Sequence, residues 1–111
     1  MALEIKNAIH AMCILVPGAI GLGTFAANRG FQTAGTGVPV RNGNSDYTLT
    51  FDQPIDAAES VAIVTGNLAI FTNCTYTRPT DATIRIYAWA QAGGADPDTT
   101  TMHVIVYRAT L

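Results

Sequence analysis

"YTLTFDQPIDAAESVAIVT", Tyr47 to Thr65, reads as strand, sharp corner, strand. Tyr47, Leu49 and Phe51 alternate with Thr48, Thr50 and Asp52. That is the period of a strand with one buried face. Asp52-Gln53-Pro54 opens the corner, and Ile55 can tuck beneath it. Val61, Ile63 and Thr65 then alternate with Ala62 and Val64 until Gly66-Asn67 turns the chain. So apolar a β-corner asks what it packs against.

The rest of the chain supplies similar strands. "LAIFTNCTYT" is one, expected to end at Arg78-Pro79 because a residue before proline is conformationally restricted. "ATIRIYAWAQ" alternates Ile84, Ile86, Ala88 and Ala90 against Thr83, Arg85, Tyr87 and Trp89. Bulk on both faces predicts a central strand or one facing a partner subunit. "TTMHVIVYR" sets Met102, Val104 and Val106 against His103, Ile105 and Tyr107. The second bulky face of these last two strands is the expected subunit contact. Upstream, "AIGLGTFAA" reads as a short strand, residues 28–46 are turn-rich, and Val38-Pro39-Val40 suggests an edge. Asn42-Gly43 is a tight-turn signal.

Residues 2–16 fit two patterns. Ile5, Ile9, Met12 and Val16 make a helical stripe, yet "AMCILV" fits a buried strand equally well. Pro17-Gly18 ends either one. Pro17, Gly18, Gly21 and Gly23 break the apolar run well below the ~18 residues a membrane helix needs, and "MALEIKN" is a poor signal n-region. The expectation is one all-β domain, an antiparallel, jelly-roll-like sandwich over 19–111, with residues 1–18 as an apolar arm or short helix.

Composition sharpens this. The 111 residues suffice for one domain. Only 13% are charged, against about 25% in an ordinary soluble domain, while 49% are apolar. Fifteen Thr stand against two Ser, which suits half-buried strands. Too little ionised surface remains to cover a solitary sandwich, so neighbouring subunits are expected to cover part of it. The net charge of −2 argues against a nucleic-acid partner.

Chemistry is hard to find. His10 and His103 lie in no metal-ligand spacing. Ser45 and Ser60 stand outside any G-x-S-x-G. Cys13 and Cys74 sit singly in apolar runs, expected as inert buried thiols. Asp96-Pro97-Asp98 is the tight acidic pair, short of the six or more oxygens calcium needs. "NCT" at Asn73 fits a glycosylation sequon. Trp89, Tyr87 and Tyr107, with Arg85 or Arg108, could form either a sugar-stacking patch or a subunit contact. No enzyme, cofactor or metal is expected.

The corner together with "IRIYAWAQ" and "TTTMHVIVYRATL" resembles small β-sandwich modules of tailed-phage virions, of the trimeric head-decoration (cement) and fibre-tip kind. It is more distantly similar to snail-agglutinin-type lectins. Tyr47, Leu49, Phe51, Pro54, Val61 and Ile63 match the shared strand-and-corner pattern, and Tyr107-Arg108 the terminal aromatic-Arg pair. The likeness spans about residues 45–111; residues 1–40 have no counterpart in it.

The resemblance implies a homotrimer on the surface of a capsid, a decoration protein whose partners are its own copies and the major capsid protein, with no membrane partner. A carbohydrate-binding fibre tip is the alternative. A fibre would need a shaft of heptads or repeats, and the chain carries neither. The residues expected at the interface are Ile5, Ile9, Met12, Trp89, Ile105 and Tyr107.

Overall fold

A computed structural model describes residues 8–16, 23–34, 39–43, 46–66, 72–90 and 101–109. They form two four-stranded antiparallel sheets packed as a β-sandwich. The strands are β1 (Ile9–Val16), β2 (Thr24–Arg29), β3 (Val40–Gly43), β4 (Asp46–Thr50), β5 (Ser60–Gly66), β6 (Thr72–Thr80), β7 (Thr83–Ala90) and β8 (Met102–Arg108). One sheet runs β2-β1-β8-β5 and the other β3-β4-β7-β6.

Alternation fixes the core. Tyr47 and Leu49 from β4, Phe51 just beyond it, Ile84, Ile86 and Ala88 from β7, and Met102, Val104 and Val106 from β8 are all buried. Ala11, Cys13 and Leu15 of β1, beside β8 in the first sheet, are buried with them. β7 is flanked by β4 and β6, the central place its two bulky faces predict.

Two expectations change. Residues 9–16 are neither an arm nor a helix. They form β1, paired with β2 on one side and β8 on the other, so the sandwich includes residues well before 19. The burial of Ala11, Cys13 and Leu15 explains the outcome: every second residue enters the core, which a helix would not allow. Residues 1–7 and 17–18 of the expected arm, Ile5 among them, lie outside the described residues.

Nor does β6 stop at Arg78. It continues through Pro79 to Thr80, with a register irregularity between Thr77 and Thr80. β6 is an edge strand, where proline's missing N–H leaves no ladder partner unsatisfied.

The corner between β4 and β5 is held by backbone. Phe51 N–H donates to Ala82 O at 2.8 Å and Ile55 N–H to Asp81 O at 2.9 Å. Asp56 caps a 3-10 turn over Ala57–Glu59, its side chain accepting from Ala58 N–H at 2.8 Å. Beside it the chain after β2 crosses over. Gly30, at φ 92°, accepts from Asp52 N–H at 2.8 Å, and Phe31 forms an isolated antiparallel bridge to Phe51. A Cβ at Gly30 would stand 2.9 Å from His10 O, so both the conformation and the space call for glycine.

Candidate functional site

The two outer faces of the sandwich differ in kind. On β3-β4-β7-β6 the outward residues include Thr48, Thr50, Thr75, Thr77, Thr83, Arg85 and Tyr87. Arg85 grips Asp46 with two nitrogens, at 2.8 and 2.5 Å, and Asn42 Nδ2 donates to both Asp46 Oδ1 and Thr48 Oγ1. The Arg85 bonds, with help from Asn42, hold the Asp46 carboxyl below its ordinary range. The charged pair of this face is thus hydrogen-bonded within it, and Val40 of β3, opposite Thr48, adds an apolar side chain that is 45% exposed.

The outer face of β2-β1-β8-β5 is apolar. Register builds it row by row: Ile9 and Val61 flank Tyr107, Met12 and Ile63 flank Ile105, and Ile14 and Thr65 flank His103. Val61 and Ile63 are 51% and 52% exposed, and Met12 and Val16 each 37%. Such clustering differs from the single exposed side chains that any surface carries. At the β2 side of the face a groove of about 270 Å³ opens between Ala27 and Arg29 of β2, Met12 and Ile14 of β1, and His103 and Ile105 of β8.

Four of the six expected interface residues therefore share one face: Ile9, Met12, Ile105 and Tyr107. Trp89 belongs to β7 of the other sheet, opposite Asn73, and its side chain lies outside the description, as does Ile5 altogether. The expected contact on the second faces of both β7 and β8 thus divides between opposite sides of the molecule. The aromatic-Arg patch divides likewise: Tyr87 and Arg85 are on β7, Tyr107 and Arg108 on β8.

Val61, Ile63, Ile14 and Val16 were not among the expected contacts. In β5 both faces are apolar, and period-2 alternation cannot tell inside from outside when neither face is polar. The structure places small Ala62 inward and the larger Val61 and Ile63 outward.

His10 occupies the bulge of β1, where the register against β8 shifts between Ile9 and Ala11. The bulge turns its ring onto Phe51, edge to face at 5.1 Å, and sets Nε2 2.6 Å from Gln53 O. With Nε2–H donating to that carbonyl, Nδ1 is buried without a partner. Burial lowers the His10 pKa, the Gln53 carbonyl opposes that shift, and Arg108 and Arg78 lower it further. A lowered imidazole pKa means that the folded chain binds fewer protons than the unfolded one. His10 therefore contributes stability at neutral pH that is lost as pH falls below about 6.5. Urea midpoints are expected to drop between neutral and mildly acidic pH, with His10→Gln flattening that slope; an unchanged slope refutes the assignment.

Cys13 and Cys74 are free thiols. Burial pushes Cys13 up to about 12 and raises Cys74 as well, so neither is a ready nucleophile. Ser60 accepts a hydrogen bond from Arg78, while Ser45 and Asp96–Asp98 lie outside the described residues. Among the described residues no three His, Cys, Asp or Glu gather to hold a metal, and no helix is long and apolar enough to cross a membrane. Comparison with protein-family models, curated proteins and solved structures gives no match, so the two-faced sandwich is itself the principal clue to what the chain does.

Proposed function

We propose that this chain is a structural subunit of a larger assembly, a capsid decoration protein that binds a finished shell as an oligomer and stabilises it. The observation that carries this reading is the contrast between the two outer faces: β2-β1-β8-β5 clusters Met12, Val16, Val61 and Ile63 in the open, while β3-β4-β7-β6 is rich in threonine and carries the Arg85–Asp46 pair. A subunit that adheres on one side and meets water on the other has this polarity. Catalysis does not require it. The virion setting comes from the strand-and-corner resemblance.

The mechanism is clamping. Each Å² of apolar surface removed from water contributes about 25 cal/mol, so modest contacts become large when a shell repeats them many times. Adding the purified chain to particles that lack it tests the proposal. Attachment at regular copy number with a raised particle melting temperature is expected, and unattached chain with unchanged melting overturns it.

A further inference from the structure

We propose that the groove across β2, β1 and β8 receives an acidic, aliphatic segment of the shell subunit: an aliphatic side chain enters the groove and a neighbouring carboxylate binds Arg29. This names the partner chemistry of the assembly reading above and rests on it. The groove is a product of register. One wall is the row Arg29–Met12–Ile105 and the other the row Ala27–Ile14–His103. Between them runs the row Asn28–Cys13–Val104, whose side chains turn away. Cys13 and Val104 are buried in the core, and Asn28 Nδ2 donates to Phe31 O at 2.8 Å. The floor is therefore main chain, and the groove crosses the strands towards β2, an edge strand. Ala27 keeps that end open, because its methyl group stands where a longer side chain would fill the space beside Ile14.

Charge selects the occupant. The four strands of this sheet contain Arg29, Arg108, His10 and His103 but no Asp or Glu, although the whole chain carries a net charge of −2. Arg29 and His103 line the groove, whereas His10 turns to Gln53 and Phe51. Arg29 is exposed, and among the described residues its guanidinium has no hydrogen-bond or ion-pair partner. Arg85 on the opposite sheet is the contrast, since Asp46 already holds it. A partner that covers the groove must bring Arg29 a counter-charge or bury it alone, and an unpaired buried charge is costly.

Other occupants fit less well. The groove volume of about 270 Å³ lies below the ~300–1,000 Å³ of small-molecule sites. Nucleic acid would meet one arginine among apolar walls, too little to follow a phosphate backbone. A protein segment meets both demands. Its aliphatic side chain leaves water against Met12, Ile14 and Ile105. Its Asp or Glu takes the planar fork of Arg29 as a charge-assisted, two-pronged pair. Val61 and Ile63 on β5 remain free to rest on the shell as the apolar flank of the same contact.

Two measurements test this. In the first, wild type, Arg29→Glu, Ala27→Trp and Thr77→Glu are titrated onto particles that lack the chain, and bound copies are counted after pelleting. Arg29→Glu sets like charges together and is expected to raise the half-saturating concentration about thirtyfold. Ala27→Trp fills the groove and is expected to raise it about tenfold. Thr77→Glu adds the same charge to the outer face of β6 and is expected to attach as the wild type does. All three positions are exposed, and unchanged thermal unfolding curves will show that the fold survives. In the second, the purified chain is titrated with isocaproate and with its neutral counterpart isohexanol, read by the NMR signals of Met12, Ile14 and Ala27. Isocaproate is expected to bind about fivefold tighter than the alcohol, and Arg29→Gln to erase that difference. Weakened attachment of Arg29→Glu and Ala27→Trp together with the carboxylate preference supports the inference. Full attachment of either variant, an equal loss in Thr77→Glu, or alcohol and carboxylate bound alike overturns it and leaves the decoration reading standing. Octanoate bound more than about tenfold tighter than isocaproate, the gain from two further buried methylenes, marks a lipid site and also overturns it. A wild type that does not attach overturns the decoration reading, and this inference with it.

Discussion

Phe51→Ala is expected to lower the unfolding free energy by about 3–5 kcal/mol, the range for deleting a buried phenylalanine. Few side chains here hold more together. Phe51 is 1% exposed and stacks on Phe31 at 5.2 Å and 24°, and Phe31 in turn stacks on Phe25 at 6.1 Å. The His10 ring meets it edge-on, and the Arg78 guanidinium lies 4.9 Å from its centroid. The column joins β1, β2, the end of β4 and β6, which come from both sheets. Removing the ring leaves a cavity and unseats the corner, and the loss is a large share of the 5–15 kcal/mol of a typical domain. Urea unfolding should show a lower midpoint at unchanged slope, with Phe51→Leu losing less. A loss below about 1 kcal/mol would mean that the column does not hold the corner.

Arg78→Lys should be nearly as damaging as Arg78→Met, which keeps the stem and drops the charge. The guanidinium donates to Thr83 O at 2.9 Å, Ile55 O at 2.5 Å and Asp81 O at 3.2 Å, and also to Ser60 Oγ. It thus ties the β4–β5 corner to the β6–β7 turn. Burial lowers the Arg78 pKa, opposed by Asp81, Tyr76 and Asp56. Hydrogen bonds to charged groups contribute about 1.5–3 kcal/mol each, less where water reaches them, so a loss of about 2–3 kcal/mol is expected for either variant. In a domain this size that lowers the melting temperature by about 10 °C. Lysine cannot substitute: its ammonium is a point charge without the planar fork that reaches several carbonyls together. Full stability in Arg78→Lys would show that the positive charge suffices.

The question raised by the corner is thereby answered. Its β4 residues and Ala62 enter the core while Val61 and Ile63 stay outside, its backbone is stitched to the β6–β7 turn, and Phe51 joins it to both sheets. β4 was legible from the sequence because alternation against Thr48 and Thr50 names its buried side, Tyr47 and Leu49. β7 and β8 carry bulk on both faces, so alternation gave their two sides, and the packing of the sheets selects Ile84 and Ile86, and Met102, Val104 and Val106, as the buried ones. β1 was ambiguous because a helical stripe and a continuous apolar run describe the same residues; pairing with β8, some ninety positions away, decides it. Arg78 left no signal because most of its hydrogen bonds go to main-chain carbonyls, which carry no residue identity. Half of the apolar face was legible through Ile105, Tyr107, Met12 and Ile9. The other half, Val61 and Ile63, depended on knowing which side of β5 is covered.

The pairing of β1 with β8 also bears on how the chain is made. On the ribosome, β1 emerges some ninety residues before β8 and must wait for it before that edge is hydrogen-bonded. At roughly 5–20 residues per second that delay lasts about 5–20 s, during which Met12, Ile14 and Leu15 present an open template to other nascent chains. Closure of the first sheet is therefore a late, long-range step, of the kind that folds slowly and leaves strand edges open in the meantime.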